Sequence, residues 1–126
     1  MVGIVIVSHS QKLAEGVVEL SKIMATNAPI AAAGGLEDGS LGTSYDKICA
    51  AIKEVYSTDG VIILPDMGSA VMTTEMVLDD LNKPNVKMID CPLVEGAVLA
   101  AVESSGGKTL EEISEKIKEV RTTKKF

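Results

Sequence analysis

The sequence predicts an α/β fold: an open, doubly wound sheet of four parallel strands with helices on both faces. Three observations predict it. Short runs of apolar, β-branched residues, such as Val2–Val7 and Val61–Leu64, suit strands buried on both sides. Longer stretches between them carry apolar residues at helical spacing. Strands and helices alternate along the chain, which implies parallel pairing through right-handed crossovers.

The elements follow in order. Val2–Val7 is the first strand. Ser8 and Gln11 then form an S-x-x-Q capping box, and Leu13, Val17, Leu20 and Met24 follow at helical spacing. Pro29–Ala33 is a second strand, required by the alternation. Gly34–Gly42 holds four glycines and reads as a loop. Thr43 and Asp46 repeat the capping pattern, and Tyr45, Ile48, Ile52 and Val55 give the next helix an apolar face. Asp59-Gly60 is a turn, Val61–Leu64 the third strand, and Pro65–Ser69 breaks it. A Met- and Val-rich helix runs to Leu81. Asn82–Asn85 turns the chain into Val86–Ile89, the fourth strand. Pro92 suits the first turn of a helix reaching Ser104. That helix is apolar nearly all round, so it is buried or in a subunit contact. Thr109 and Glu112 cap a last amphipathic helix, and Arg121–Phe126 is a frayed tail.

Composition narrows the function. The 126 residues suit one domain spanning 1–126. A net charge of −6 argues against a nucleic-acid backbone as partner, because phosphate binding wants a basic stripe. Two separated cysteines, Cys49 and Cys91, and a single histidine cannot build a typical zinc site, so neither metal nor cofactor is expected. No run reaches the ~18 apolar residues of a membrane span, and a cytoplasmic location is the default expectation.

In an open α/β sheet, ligands bind beyond the carboxyl ends of the strands. Three polar stretches stand there: Ser8-His9-Ser10, the glycine-rich run ending in Gly42-Thr43-Ser44, and Pro65-Asp66-Met67-Gly68-Ser69. His9 is the only imidazole, placed where a strand meets a helix N-terminus. The helix start favours an anion and disfavours imidazolium, so a ring nitrogen keeps its lone pair for attack. Asp66, at the end of another strand, could accept the opposite ring N–H and fix the tautomer. It could equally be a turn aspartate bound to its own backbone. Read as a partly exposed turn residue, it should matter more to rate than to stability. Gly68-Ser69 and Gly42-Thr43 bring backbone close to a ligand and could wrap an anion, with Ser10 contributing from the first helix start.

These residues resemble a known family. Gly3–Ser10 as G-I-V-I-V-S-H-S, followed by Leu13-Ala14-Glu15-Gly16, is similar to the start of mannose-type IIA domains of the phosphotransferase system. Gly42-Thr43-Ser44, Leu64–Ala70 as L-P-D-M-G-S-A, and Cys91–Ala97 as C-P-L-V-E-G-A resemble one branch in particular. That branch is the phosphocarrier subunits of phosphoenolpyruvate-dependent dihydroxyacetone kinases. The resemblance implies a strand order of 2-1-3-4 that sets His9 beside Asp66, phosphate carried on the imidazole Nε2, and a homodimer. It implies the phosphocarrier HPr as donor, and as acceptor ADP bound on the nucleotide-binding subunit of the kinase. Oxygens of the phosphoryl group would be held near Ser10, Gly42, Thr43, Gly68 and Ser69. The alternatives are a IIA component of a mannose-type sugar transporter and a non-enzymatic receiver or ligand-binding domain. A receiver would want an acidic pair after the first strand, where Ser8-His9-Ser10 stands instead.

Overall fold

Every residue of the first strand, β1 (Gly3–Ser8), is buried, because β1 is paired on both edges and covered on both faces. The computed structural model describes all of Met1–Phe126. The other strands are β2 (Ile30–Gly34), β3 (Val61–Pro65) and β4 (Val86–Met88). They alternate with helices α1 (Gln11–Met24), α2 (Tyr45–Val55), α3 (Ser69–Leu81), α4 (Leu93–Ser105) and α5 (Leu110–Lys118), followed by a 3-10 turn over Glu119–Arg121. All pairings are parallel and the order is β2-β1-β3-β4, as the resemblance implied.

The two-residue period of the strands sorts their side chains between two cores. Ile4, Ile6, Ile62 and Leu64 point to one face, where α1, α4 and α5 cover them with Ala14, Val17, Ala97, Ala101, Ile113 and Ile117. Val5, Val7, Val61 and Ile63 point to the other, under Ile48, Ile52, Val55, Ala70 and Val77 of α2 and α3. The sheet is therefore doubly wound.

Register positions the functional edge. Ser8 lies beside Gly34, and Val7 beside Pro65. The chain thus leaves three neighbouring strands at one level, and the three polar stretches emerge side by side.

Three sequence expectations shift. The first strand runs to Ser8, so α1 is capped by Ser10, whose Oγ accepts the Leu13 N–H, and not by Ser8. Helix α2 is capped by Ser44, which accepts from Lys47 N–H, and not by Thr43. Both displacements free a hydroxyl for the site. The third concerns the face of α1. Its buried residues are Ala14, Val17 and Ser21, while Leu13, Leu20 and Met24 are exposed. The reason is proximity: a Cβ built on Gly34 would lie 2.5 Å from the Ser10 carbonyl oxygen and 2.7 Å from the Ala14 Cβ. A helix this close to the sheet can bury only small side chains, and its large ones turn outward.

The nearly all-apolar α4 is covered within the chain on its small-residue face, while Val94 stays exposed. It buries Gly96, Ala97, Ala100, Ala101 and Ser104 and packs against α1, α5, β1 and β3. The capping box of α5 forms as expected from Thr109 and Glu112. The tail makes ion pairs from Arg121 to Asp90 and from Lys125 to Glu95, exposed contacts of the kind that add little stability.

One buried hydroxyl has no partner: Thr74 Oγ1, on the inner face of α3. An unmade hydrogen bond in the interior costs the desolvation of the group. Thr74→Val removes the hydroxyl at nearly constant volume and should leave stability unchanged or raise it by up to about 1 kcal/mol. Urea unfolding checks this, and a loss of more than about 1 kcal/mol would show a partner for the hydroxyl.

Candidate active site at the carboxyl edge of the sheet

His9 follows β1 directly, and its backbone is held at both ends. Its N–H donates to Asp66 Oδ2 at 3.0 Å, and its carbonyl accepts from Gly42 N–H at 2.9 Å. The second bond ties the glycine-rich loop to the histidine. Gly42 can form it because its φ is +148°, a region that side chains rarely occupy.

Asp66 follows β3 and accepts four hydrogen bonds. Oδ2 takes the Ser8 hydroxyl at 2.8 Å as well as His9 N–H, and Oδ1 takes Met67 N–H at 2.6 Å and faces His9 Nδ1 at 3.0 Å. Burial alone would raise this carboxyl's pKa. The donors outweigh it: His9 N–H, the Ser8 hydroxyl, Met67 N–H and the imidazole together hold it below the ordinary aspartate value. Both sequence readings of Asp66 therefore apply, since it caps its own turn through Met67 and also meets the imidazole. With its side chain only 11% exposed, it is more than a surface turn residue.

An ionised carboxylate can only accept, so the Asp66 contact requires the proton on Nδ1. Nε2 then carries the lone pair, and the Ser69 hydroxyl donates to it at 2.8 Å. Ser69 opens α3 just after Gly68, whose φ of +53° turns the chain so that the serine faces the ring. The N–H groups of Gly68 and Ser69 have no acceptor within the chain. Ser69 Oγ also meets Thr43 Oγ1 at 3.1 Å, which in turn meets Thr73 Oγ1 at 3.1 Å.

Of the residues proposed from sequence, His9, Asp66, Ser69 and Thr43 are joined by side-chain hydrogen bonds. Gly42 joins through its backbone, and Gly68 adjoins as the turn before α3. Ser10 is committed elsewhere: its hydroxyl caps α1 and its N–H donates to Ser8 Oγ at 3.0 Å. Two hydroxyls escaped the sequence reading. Ser8 is 1% exposed and links Asp66 to the Ser10 backbone. It could have been found from its even spacing with Ile4 and Ile6 on the strand, which makes it a buried polar group needing a partner. Thr73, one turn after Ser69, carried no signal outside a known helix face.

The imidazole lies open. Its side chain is 34% exposed and lines none of the five surface cavities, although a cavity of about 330 Å³ between Asp66 and Cys91 borders the site. Burial, with Asp90 adding to it, pushes the Cys91 thiol up to about 11, and burial also raises Cys49, so neither cysteine offers a ready thiolate. No group of three or more His, Cys, Asp or Glu side chains could hold a metal ion. No helix is long and apolar enough to cross a membrane.

A doubly wound sheet with an oriented, accessible histidine after its first strand is the arrangement that the resemblance to IIA-type modules of the phosphotransferase system implied. The chain belongs to that family: the family model described as PTS system fructose IIA component matches residues 3–114. Relatives carry a narrower name. The "PTS-dependent dihydroxyacetone kinase, phosphotransferase subunit DhaM" of Lactococcus lactis is 38% identical over 118 residues, covering 94% of each chain. The "PEP-dependent dihydroxyacetone kinase 1, phosphoryl donor subunit DhaM" of Listeria innocua is 36% identical, again covering 94% of each. The phosphoryl donor subunit DhaM of Escherichia coli K12 is 38% identical over an alignment of 120 residues that covers 90% of this chain but 25% of that protein. A solved structure of a protein of unknown function matches the fold with TM-score 0.86 at 30% identity, covering 100% of this chain and 99% of the other.

The four-donor carboxylate sets a pH dependence. Asp66 titrates lower folded than unfolded, so it stabilises the protein above the ordinary carboxylate value and loses that contribution as pH falls through its folded value. Asp66→Asn should cost about 1–3 kcal/mol at pH 7, more than the sequence alone suggested, because donors to a charged acceptor lose strength. The difference from wild type should shrink below about pH 4. Urea unfolding from pH 7 to pH 2.5 measures it, and a difference independent of pH would contradict the assignment.

Proposed function

We propose that this chain is a phosphoryl carrier that takes a phosphoryl group on His9 Nε2 and passes it on. One observation carries the reading: Asp66 on Nδ1 and Ser69 on Nε2 together select the tautomer with the lone pair on Nε2, in a ring that is partly exposed. In-line transfer needs a positioned nucleophile and donors for the equatorial oxygens, and little else from the protein. Asp66 offsets the positive charge that grows on the ring as Nε2 attacks. The Ser69 hydroxyl and the free N–H groups of Gly68 and Ser69 are placed to hold the oxygens, with Thr43 behind Ser69.

The relatives' names support service to a dihydroxyacetone kinase, and the sequence resemblance implies the steps of the transfer. The donor is the histidine phosphocarrier HPr, and the acceptor is ADP on the nucleotide-binding subunit of a dihydroxyacetone kinase. An open imidazole suits this work, because two partners must reach the same nitrogen. The runner-up, transfer to a IIB domain of a sugar transporter, uses the same site and is favoured by no residue here. A homodimer belongs to the proposal. Its support comes from α1, whose exposed Leu13, Leu20, Ile23 and Met24 form an apolar stripe, and from α4, where Val94 is also exposed.

Incubation with phosphoenolpyruvate, enzyme I and HPr should add one acid-labile phosphate per chain, and His9→Ala should take none. Asp66→Asn should accept phosphate roughly 100- to 10,000-fold more slowly, as when an aspartate that orients a catalytic histidine is lost. The labelled protein should discharge to an ADP-loaded kinase subunit in a mixing experiment. Retention there, with rapid discharge to a IIB domain, would reverse the choice of acceptor.

A further inference from the structure

The geometry points to Thr73 as a positioning residue that orients Ser69 toward His9 Nε2 through Thr43; the inference rests on the phosphohistidine reading above. The argument is one of counting hydrogens. A hydroxyl has one hydrogen to give and lone pairs to accept with. Asp66 fixes the His9 proton on Nδ1, so Nε2 can only accept, and Ser69 must spend its single hydrogen on that nitrogen. In the contact between Ser69 and Thr43 the donor must then be Thr43. Thr43 has now spent its own hydrogen, so in the contact between Thr43 and Thr73 the donor must be Thr73. The direction of the whole chain is forced: Thr73 to Thr43 to Ser69 to Nε2. Hydrogen bonds aligned in this way polarise one another, each strengthening the next.

The same direction serves the loaded state. When Nε2 attacks the phosphorus of the incoming group, its lone pair becomes the new N–P bond, and the electron pair of the old bond leaves with the donor's own nitrogen. Ser69 loses its acceptor and pivots its hydrogen onto a phosphoryl oxygen. Thr43 still donates to Ser69, and Thr73 still donates to Thr43. No hydroxyl has to reverse, so the network needs little rearrangement during transfer.

Thr73 also supplies rigidity. Thr43 stands at the end of a glycine-rich loop, whereas Thr73 is one turn inside α3 on the same face as Ser69. The Thr73 bond ties the loop to the helix that bears Ser69.

The test compares Thr73→Val, isosteric but without the hydroxyl, and Thr73→Ser, which keeps it. Thr73 is only partly buried, and melting curves of both variants check that they fold before the rates are compared. Phosphoramidate serves as a small phosphoryl donor that needs no partner protein, with phosphohistidine read by phosphorus NMR. Nitrogen NMR of histidine-labelled, unphosphorylated protein reads Nε2 directly. Thr73→Val should slow labelling about 3- to 10-fold, the scale of one neutral hydrogen bond, and move the Nε2 resonance. Thr73→Ser should restore both. Wild-type rate and an unmoved resonance in Thr73→Val would overturn the inference, as would equal losses in both variants, which would mean a packing role. A wild type that takes no label would count against the phosphohistidine reading, and the Nε2 resonance would then decide the hydroxyl chain alone.

Discussion

The candidate site depends on one carboxylate. Asp66 receives the Ser8 hydroxyl and His9 N–H from the end of β1, Met67 N–H from its own turn, and the imidazole. Strand pairing brings β1 and β3 together but stops at Val7 and Pro65. Beyond that point Asp66 replaces the ladder, and Asp66 N–H still donates to Val7 carbonyl. Because Ser8 and His9 N–H occupy Oδ2, Oδ1 is the oxygen left to face Nδ1. The orientation of the ring thus follows from how the backbone leaves the sheet. A carboxylate that only accepts then decides which ring nitrogen keeps its lone pair.

Close approach of α1 to the sheet is the second constraint. Gly34 has no room for a Cβ, since Ser10, Gln11 and Ala14 already lie against it. The start of α1, and with it His9, is set by contact with the end of β2. The loop after Gly34 is held from the other side. Lys47 Nζ donates to the Gly34 and Leu36 carbonyls, Glu37 accepts from the Ser44 hydroxyl, and Leu36 N–H reaches Ser40. Glycines give this loop its shape, and these contacts remove the freedom they would otherwise leave.

Strands β1 and β3 were legible in the sequence because they read as unbroken, buried apolar runs, whereas β2 followed from the alternation and β4 carries Lys87. Helix existence was legible for the same reason that periodicity works. Faces and caps were less so. Leu13, Leu20 and Met24 carry helical spacing, yet the sheet admits only Ala14, Val17 and Ser21. Spacing reports that a helix has a side, and steric room decides which residues fill it. The caps moved because Ser8 and Thr43 had competing partners across the site, at separations in sequence that no local pattern encodes. His9 and Asp66 stood out by type and position. Ser8 and Thr73 did not, since a hydroxyl on a strand or helix gains meaning only from what faces it.

The kind of donor around Nε2 bears on how a carrier of this design would behave. Every hydrogen bond converging on the nitrogen comes from a neutral group, beginning with Ser69 and continuing through Thr43. Lys47 of α2, which reaches the glycine-rich loop, is spent on two carbonyls. A fixed ammonium or guanidinium beside the phosphoryl group would stabilise the loaded state through a charge-assisted bond, roughly twice as strong as a neutral one. It would do so before any acceptor arrived, and it would act on the loaded ground state as much as on the transition state, which does not speed transfer. Neutral hydroxyls and backbone N–H groups would hold the oxygens in position at a smaller cost to release. The positive charge needed at the moment of transfer would then be left to a partner's site, where it would act only once the two proteins had met. An open histidine, a locked tautomer and uncharged donors are mutually consistent in this respect: each favours passing the group on over keeping it.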